Sequence, residues 1–295
     1  MPGKPNSLAK LCLLLFWASL LQVQWAKALP TSNEEARIKL LIENYRKYLQ
    51  SDCDKELCRK YWAELPNFLS AGELPKLHYV LTNELLKNPK DEAARTLLAE
   101  RLLMHQEFSH AQKQLDILKE QGAGEYFRLA ALNDIEHGHT NESTEAIKRY
   151  LQKRKSAEGY YLLALIMAGN RDSQRSKQAL QRIEELCPEL PGKNRIKSRE
   201  AENNKDFERS LKLLNYYLNV IADDIPALTN RIVLLLKMGK EAEACSTLAR
   251  QSNQNINSYE INYAIGYLYT DIKIRRAIEF YGRCIKLNPN DPRAF

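Results

Sequence analysis

The chain has 295 residues, 44% hydrophobic and 27% charged, with 11 Gly, 11 Pro and a formal charge of +7. That much apolar material excludes a disordered chain, and so few glycines and prolines exclude collagen-like and low-complexity classes. Val is scarce beside Leu, Ala, Glu, Lys and Arg, and long stretches run without a breaker, so an all-α protein is expected.

At the N-terminus, Lys4 and Lys10 precede an apolar run from Leu11 to Leu21, and Ala26-Lys27-Ala28 offers a small-x-small cleavage site. These are the parts of a secretory signal peptide over residues 1–28. The run is shorter than the ~20 apolar residues that span a bilayer, and no later segment is long enough, so no membrane span is expected after signal removal. The Ala-x-Ala site favours a periplasm or cell surface over a eukaryotic secretory lumen. Loss of the signal removes three lysines and no acid, lowering the formal charge from +7 to +4. Lys193, Arg195, Lys197 and Arg199 cluster without a glycine-rich or aromatic nucleic-acid motif, so they read as a solvated face and no nucleic-acid partner is expected.

Residues 29–65 read as N-terminal capping helices, with Ile38, Leu41, Ile42 and Tyr45 as an apolar stripe. Cys12 departs with the signal, which leaves Cys53, Cys58, Cys187, Cys245 and Cys284, an odd number. In an oxidising compartment Cys53 and Cys58 are the expected disulfide, provided that the segment between them is a turn or a helix start. The other three fall on helical faces, where a buried Cys acts as a small hydrophobe.

From Leu77 onward the chain repeats. A small residue followed four positions later by a large one recurs as Ala111/Leu115, Ala146/Tyr150, Ser176/Leu180, Ser210/Leu214, Ala244/Leu248 and Ala277/Tyr281, with Leu77/Leu81 as a divergent first member. The four-residue offset places both members on one helix face, and the small one permits close approach by another helix. A second series, Ala99, Ala130, Ala164, Ser198, Ile232 and Gly266, runs in phase with the first. Pro89, Pro188 and Pro289 each stand 12 residues after a member of the first series, where a helix must stop. The segment from His137 to Thr144 reads as a turn of about four residues, longer than its counterparts.

These residues resemble the tetratricopeptide repeat family, whose unit is a 34-residue helix-turn-helix. Tyr160, Leu163, Ala164 and Met167 followed by Ser176, Leu180 and Pro188 carry the resemblance best, with Ile265, Gly266, Tyr269, Ala277, Tyr281 and Pro289 close behind. It implies a right-handed superhelical solenoid of about seven helix pairs over residues 66–295. It also implies a groove lined by the first helix of each pair. Carried over position by position, the groove residues are Thr96, Glu100, Leu103, Phe127, Ala131, Tyr161, Leu165, Arg195, Arg199, Thr229, Val233, Tyr263 and Tyr267. Such a groove would be aromatic and basic, suited to apolar anchors with a carboxylate. Lys and Asn are missing from the family's carboxylate-clamp positions, which disfavours a receptor for chaperone tails.

No metalloprotease, nucleophile-elbow, Walker or dinucleotide motif is present. His137 and His139, beside Glu136 and Glu142, read as a solvated turn, and Asn141-Glu-Ser143 as a chance glycosylation match. The sequence therefore points to a non-catalytic exported scaffold that binds a protein or peptide, with no metal or cofactor. The alternative is a periplasmic factor in polysaccharide export or cell-wall maintenance that binds glycan or its enzymes. The final hairpin, Ile261 to Leu287, lacks a full capping helix and is expected to self-associate through exposed apolar surface.

Overall fold

The structure is a computed structural model that describes residues 29–51, 54–64, 74–222, 224–252 and 259–289. The expected signal peptide over residues 1–28, and Cys53, lie outside the described residues. Among the described residues there are fifteen α-helices and no strand. In chain order they are α1 Ser32–Gln50, α2 Lys55–Glu64, α3 Leu74–Lys87, α4 Glu92–Met104, α5 Phe108–Glu120, α6 Tyr126–His137, α7 Thr140–Lys153, α8 Ala157–Gly169, α9 Ser173–Leu186, α10 Gly192–Asn203, α11 Phe207–Val220, α12 Ile225–Lys237, α13 Glu241–Ser252, α14 Tyr259–Thr270 and α15 Ile274–Leu287. The chain divides into two compact units, one spanning residues 25–227 and the other containing residues 228–295.

The repeat is written into the turns. Gln106, Gly138, Arg171, Lys205 and Gly239 all have φ between 61° and 77°, and they follow one another at intervals of 32, 33, 34 and 34 residues. At each of them the next amide donates back across the helix end: Glu107 to Leu102 O, His139 to Asp134 O, Asp172 to Met167 O, Asp206 to Ala201 O and Lys240 to Leu235 O, all at 2.8–2.9 Å. This left-handed residue with its six-to-one bond is the Schellman helix stop. Asp172 and Asp206, immediately after it, accept from the amides of Arg175 and Arg209 and start the second helix of their pairs.

Within each pair the two series of small residues face each other. In α10 and α11 the Ser198 and Ser210 hydroxyls each donate to the other's backbone carbonyl at 2.9 Å. That contact lets the polar helix α10 pack without an apolar stripe. In α14 and α15, a Cβ at Gly266 would lie 3.2 Å from the Phe280 Cβ and the Tyr281 ring.

One register differs from expectation. In α6 and α7 the facing small residues are Ala131 and Ser143, with Ile147, all buried, whereas Ala130 and Ala146 are partly exposed. The turn between these helices is only Gly138 and His139, not four residues, so α7 starts at Thr140 and its facing residues shift towards the N-terminus. With that correction both series run at 32 to 34 residues, the spacing of the turns.

The segment over residues 29–65 adopts a different place from a terminal stack. Thr31 and Glu34 form a reciprocal capping box, which starts α1. Lys76 of α3 pairs with Glu34 at 2.6 Å. Ile38, Leu41, Ile42, Tyr45 and Tyr48 are buried against α3 and α4, and side chains from the far end of α1 reach α6 and α8.

The disulfide also differs. Cys58 is joined to Cys187, with Cα atoms 6.3 Å apart and 129 residues between them in sequence. Cys58 lies inside α2 and is 2% exposed, facing the end of α9, so its partner comes from across the fold and not from Cys53. Closing so long a loop removes about 5 kcal/mol of unfolded-chain entropy in the chain-entropy account. Cys187 is thus a bridge and not a small hydrophobe, while Cys245 and Cys284 are free and buried.

Two outcomes test these readings. Arg171 and Lys205 hold a left-handed conformation that costs a residue with a Cβ roughly 1 kcal/mol, so Arg171→Gly should raise stability by about 0.5–1 kcal/mol in denaturant melts, and Gly239→Ala should lower it by about 1 kcal/mol. His78 on α3 has its pKa lowered to about 4, first by burial and then by His110 and His105. The unfolded histidine titrates near 6.5, so the unfolded chain binds more protons between the two values. Stability from this group is complete above about pH 6.5 and is lost as the pH falls towards 4. Melting temperatures at pH 7 and pH 5 should differ by less in His78→Gln than in the native chain.

Candidate functional site

The surface that could receive a partner is built by the first helices of the pairs, because their second helices pack outside them. In the larger unit these are α4, α6, α8 and α10, each packed against the next. Their side chains form two stretches with different fates.

The first stretch is covered by the chain itself. In α4 every residue from Ala93 to Met104 is buried, including Thr96, Glu100 and Leu103, which the family pattern assigned to an open groove. A helix with both faces buried needs a second cover, and α1 supplies it. The contact is polar at its heart. Arg128 of α6 donates to Glu100 at 3.0 Å and to the Tyr45 hydroxyl at 3.2 Å, and pairs with Glu125 at 2.5 Å. Tyr150 donates to Glu125 at 2.9 Å from the other side. Burial pushes the Arg128 pKa down, but Glu100, Tyr45 and Glu125 outweigh it and hold the guanidinium well above its ordinary range. Burial raises the pKa of Tyr45 and Tyr61, so both stay neutral donors.

Further along, Glu158 of α8 accepts from the Tyr48 hydroxyl at 2.7 Å and from the Trp62 indole at 3.3 Å. The Arg154 guanidinium donates to the carbonyl oxygens of Tyr48 and Leu49 and lies 5.4 Å from the centre of the Tyr48 ring, closing the C-terminal end of α1. Tyr61 packs on Tyr45 with ring centres 4.8 Å apart and on Trp62 at 5.2 Å. Arg59 of α2 pairs with Glu189 at 3.1 Å, beside the Cys58–Cys187 bridge.

The second stretch carries the expected groove residues Phe127, Tyr161, Leu165, Arg195 and Arg199. Arg195 is not a surface cation: it is 8% exposed, paired with Asp224 at 2.7 Å and 3.9 Å from Glu136. It also donates to the Tyr161 hydroxyl at 3.1 Å. Burial lowers the Arg195 pKa, and Asp224 more than reverses this. Asp224 in turn accepts from Tyr217 at 2.5 Å and caps α12 through the Ala227 amide at 2.8 Å. Tyr161 therefore belongs to a structural cluster, and its ring leaves no room for a side chain at Gly192, where a Cβ would lie 2.6 Å away. Phe127, Leu165 and Arg199 stay partly exposed, with Lys153 5.2 Å from the Phe127 ring and Arg199 paired to Glu202 at 3.4 Å.

In the smaller unit, Thr229 and Val233 lie on α12 and are partly exposed. Tyr263 stacks between Tyr259 and Tyr267 on α14, with ring centres at 6.1 and 6.5 Å, and meets Tyr281 of α15 at 5.8 Å. These tyrosines form one ladder along the first helix of their pair. His137 lies 4.4 Å from the Phe108 ring and 5.9 Å from His139. Among the described residues no group of three or more His, Cys, Asp or Glu is gathered as metal ligands, and no helix is long and apolar enough to cross a membrane.

The residues that cover α4, namely Tyr45, Tyr48 and Trp62, were missed by pattern reasoning, as were Arg128, Glu158 and Cys187. The available signal was α4 itself: Ala93, Ala94, Leu97, Leu98, Ala99, Leu102 and Leu103 are apolar around the whole circumference, which marks a helix covered on both sides.

No family model and no curated protein matches this chain. Solved structures do resemble it. A chain of the APC/C hetero-tetramer Cut9-Hcn1 aligns at 15% identity and a TM-score of 0.49, over 88% of this chain and 51% of that one. This chain therefore spans about half the length of that relative. A tetratricopeptide repeat protein from Parabacteroides merdae aligns at 16% identity and a TM-score of 0.41, over 80% of this chain and 96% of that one. A thermophilic tetratricopeptide repeat protein from Thermus thermophilus aligns at 17% identity and a TM-score of 0.40, over 58% and 95%. The fold of this chain is all-α, an array of tandem helix pairs of the tetratricopeptide type, on the strength of its own turns and spacing.

The structural place of Tyr161 has a measurable consequence. Gly192→Ala should cost about 1–3 kcal/mol by overpacking, and Tyr161→Ala should lower the melting temperature as a core lesion does. Gly169→Ala, where an added Cβ meets nothing within 4 Å, is the control.

Proposed function

We propose that this chain is a non-catalytic, exported scaffold that binds a protein or peptide on the part of the first-helix face that α1 leaves uncovered. The observation that carries the export reading is the Cys58–Cys187 bridge. Structural disulfides persist in oxidising compartments and are rare where thiols are kept reduced. It joins the sequence features of residues 1–28, and together they favour a periplasm or cell surface. Binding is supported by the chemistry of the open stretch, where Phe127, Leu165 and Arg199 offer apolar contact beside a cation. A row of such groups suits an extended or helical peptide with apolar anchors and an acidic group.

A peptide map under non-reducing conditions should recover Cys58 linked to Cys187, with Cys245 and Cys284 alkylated only after denaturation. A Cys53–Cys58 link in that map would remove the support for export drawn from the fold. For binding, the native chain and a Leu165→Glu/Arg199→Glu variant, shown to be folded by circular dichroism, should be compared in affinity capture from the envelope fraction. A partner held by the native chain and lost at least tenfold by the variant is the expected result. Equal capture by both places the ligand elsewhere.

A further inference from the structure

The cover over α4, α6 and α8 has the features of a bound ligand more than those of a repeat. α1 lies across three successive first helices, where the pairs elsewhere present an open face, and it is matched to them by chemistry. Ile38, Leu41 and Ile42 meet the apolar surface of α4, and two tyrosines almost one turn apart, Tyr45 and Tyr48, reach Arg128 on α6 and Glu158 on α8. The array offers these groups a ready complement: Glu100, Arg128 and Glu158 stand on three different helices and converge on one ligand helix. The joining contacts are non-local, with partners 83 to 110 residues apart in sequence. Tethered segments of this kind are held by effective concentration as much as by contact, and a second tether raises that concentration. Here the second tether is the bond from Cys58 on α2 to Cys187 at the end of α9.

We propose that the face formed by α4, α6 and α8 is a helix-binding site whose occupant is this chain's own α1, and that Cys58–Cys187 locks it in place. The bond forms when the two thiols transfer two electrons to a disulfide oxidant. One thiolate attacks the oxidant's sulfur, the second displaces the mixed disulfide, and the oxidant leaves as two thiols. Both cysteines are buried once the bond is made, so the lock is set on oxidation and not cycled in the folded state. Before oxidation α1 exchanges on and off the face; afterwards the face is closed and only Phe127, Leu165, Arg199 and their neighbours remain for other partners. The inference stands apart from the proposed ligand of that open stretch, because its test contains no outside partner.

The test uses the full chain in two forms, oxidised native and Cys58→Ser/Cys187→Ser, compared by hydrogen exchange. Amides of α1, α2 and the central turns of α4 and α8 should exchange at least tenfold faster in the variant, while α10 and α11 keep their native protection. Unchanged exchange in α1 and α2 overturns the proposal, since contact alone would then hold them. Loss of protection in α10 and α11 as well also overturns it, since the bond would then be a staple for the whole unit. A second variant, Cys58→Ser with Tyr45→Ala and Tyr48→Ala, weakens the occupant and leaves the site. A labelled peptide of residues 32–50 should bind it at one to one and should not bind the oxidised native chain. Absence of binding to a variant whose α10 and α11 remain protected refutes a helix site at that face.

Discussion

Everything in this molecule depends on how closely two helices of a pair can approach. At Ala99 and Ala111, Ala164 and Ser176, and Ser198 and Ser210 both sides of the contact are small and buried, so the backbones come together until neighbouring large residues interlock. The Schellman stop between the helices holds each pair at that approach, because it ends the first helix and turns the chain within two residues. Once the approach is set, the first helices line up in a row and their remaining side chains make a common face.

That face is unusual in how much charge it buries. Arg128 with Glu100 and Glu125, and Arg195 with Asp224, are pairs with almost no exposure. Taking such groups out of water costs more than a simple pairing returns, and the account closes only when further hydrogen bonds complete the network. Tyr45, Tyr150, Tyr161 and Tyr217 provide those bonds, each kept neutral by burial. The networks bring little net stability over apolar packing. What they impose is position, since Arg128 is satisfied only when α1, α4 and α6 are all in place, and Arg195 only when α8, α10 and α11 meet the start of α12.

The repeat, the all-α class and the helix ends were legible in the sequence because each rests on local chemistry. A small residue every 32 to 34 positions, an Asp at the start of a second helix and a proline after the last turn act within one or two turns of chain. The slip at Ala146 shows the limit of that reading. Alanine is small, but Ser143 is small as well, and only the two-residue turn at Gly138 decides which of them faces the partner helix. The groove positions were recoverable as places on first helices and not as exposed side chains. Arg195 and Tyr161 stand where the family pattern puts them, yet Asp224 and Gly192, distant in sequence, take them out of reach.

The sequence by itself determined that the chain folds as helix pairs, where each pair begins and ends, and that α1 carries one apolar stripe, because these follow from spacing and capping within a few residues. Only the tertiary structure decided where that stripe is buried, which cysteine Cys58 meets, and which first-helix residues remain open. Those outcomes are set by contacts between groups up to 129 residues apart. Burial and partner choice at such separations depend on the three-dimensional path of the array, for which no local residue pattern is a proxy.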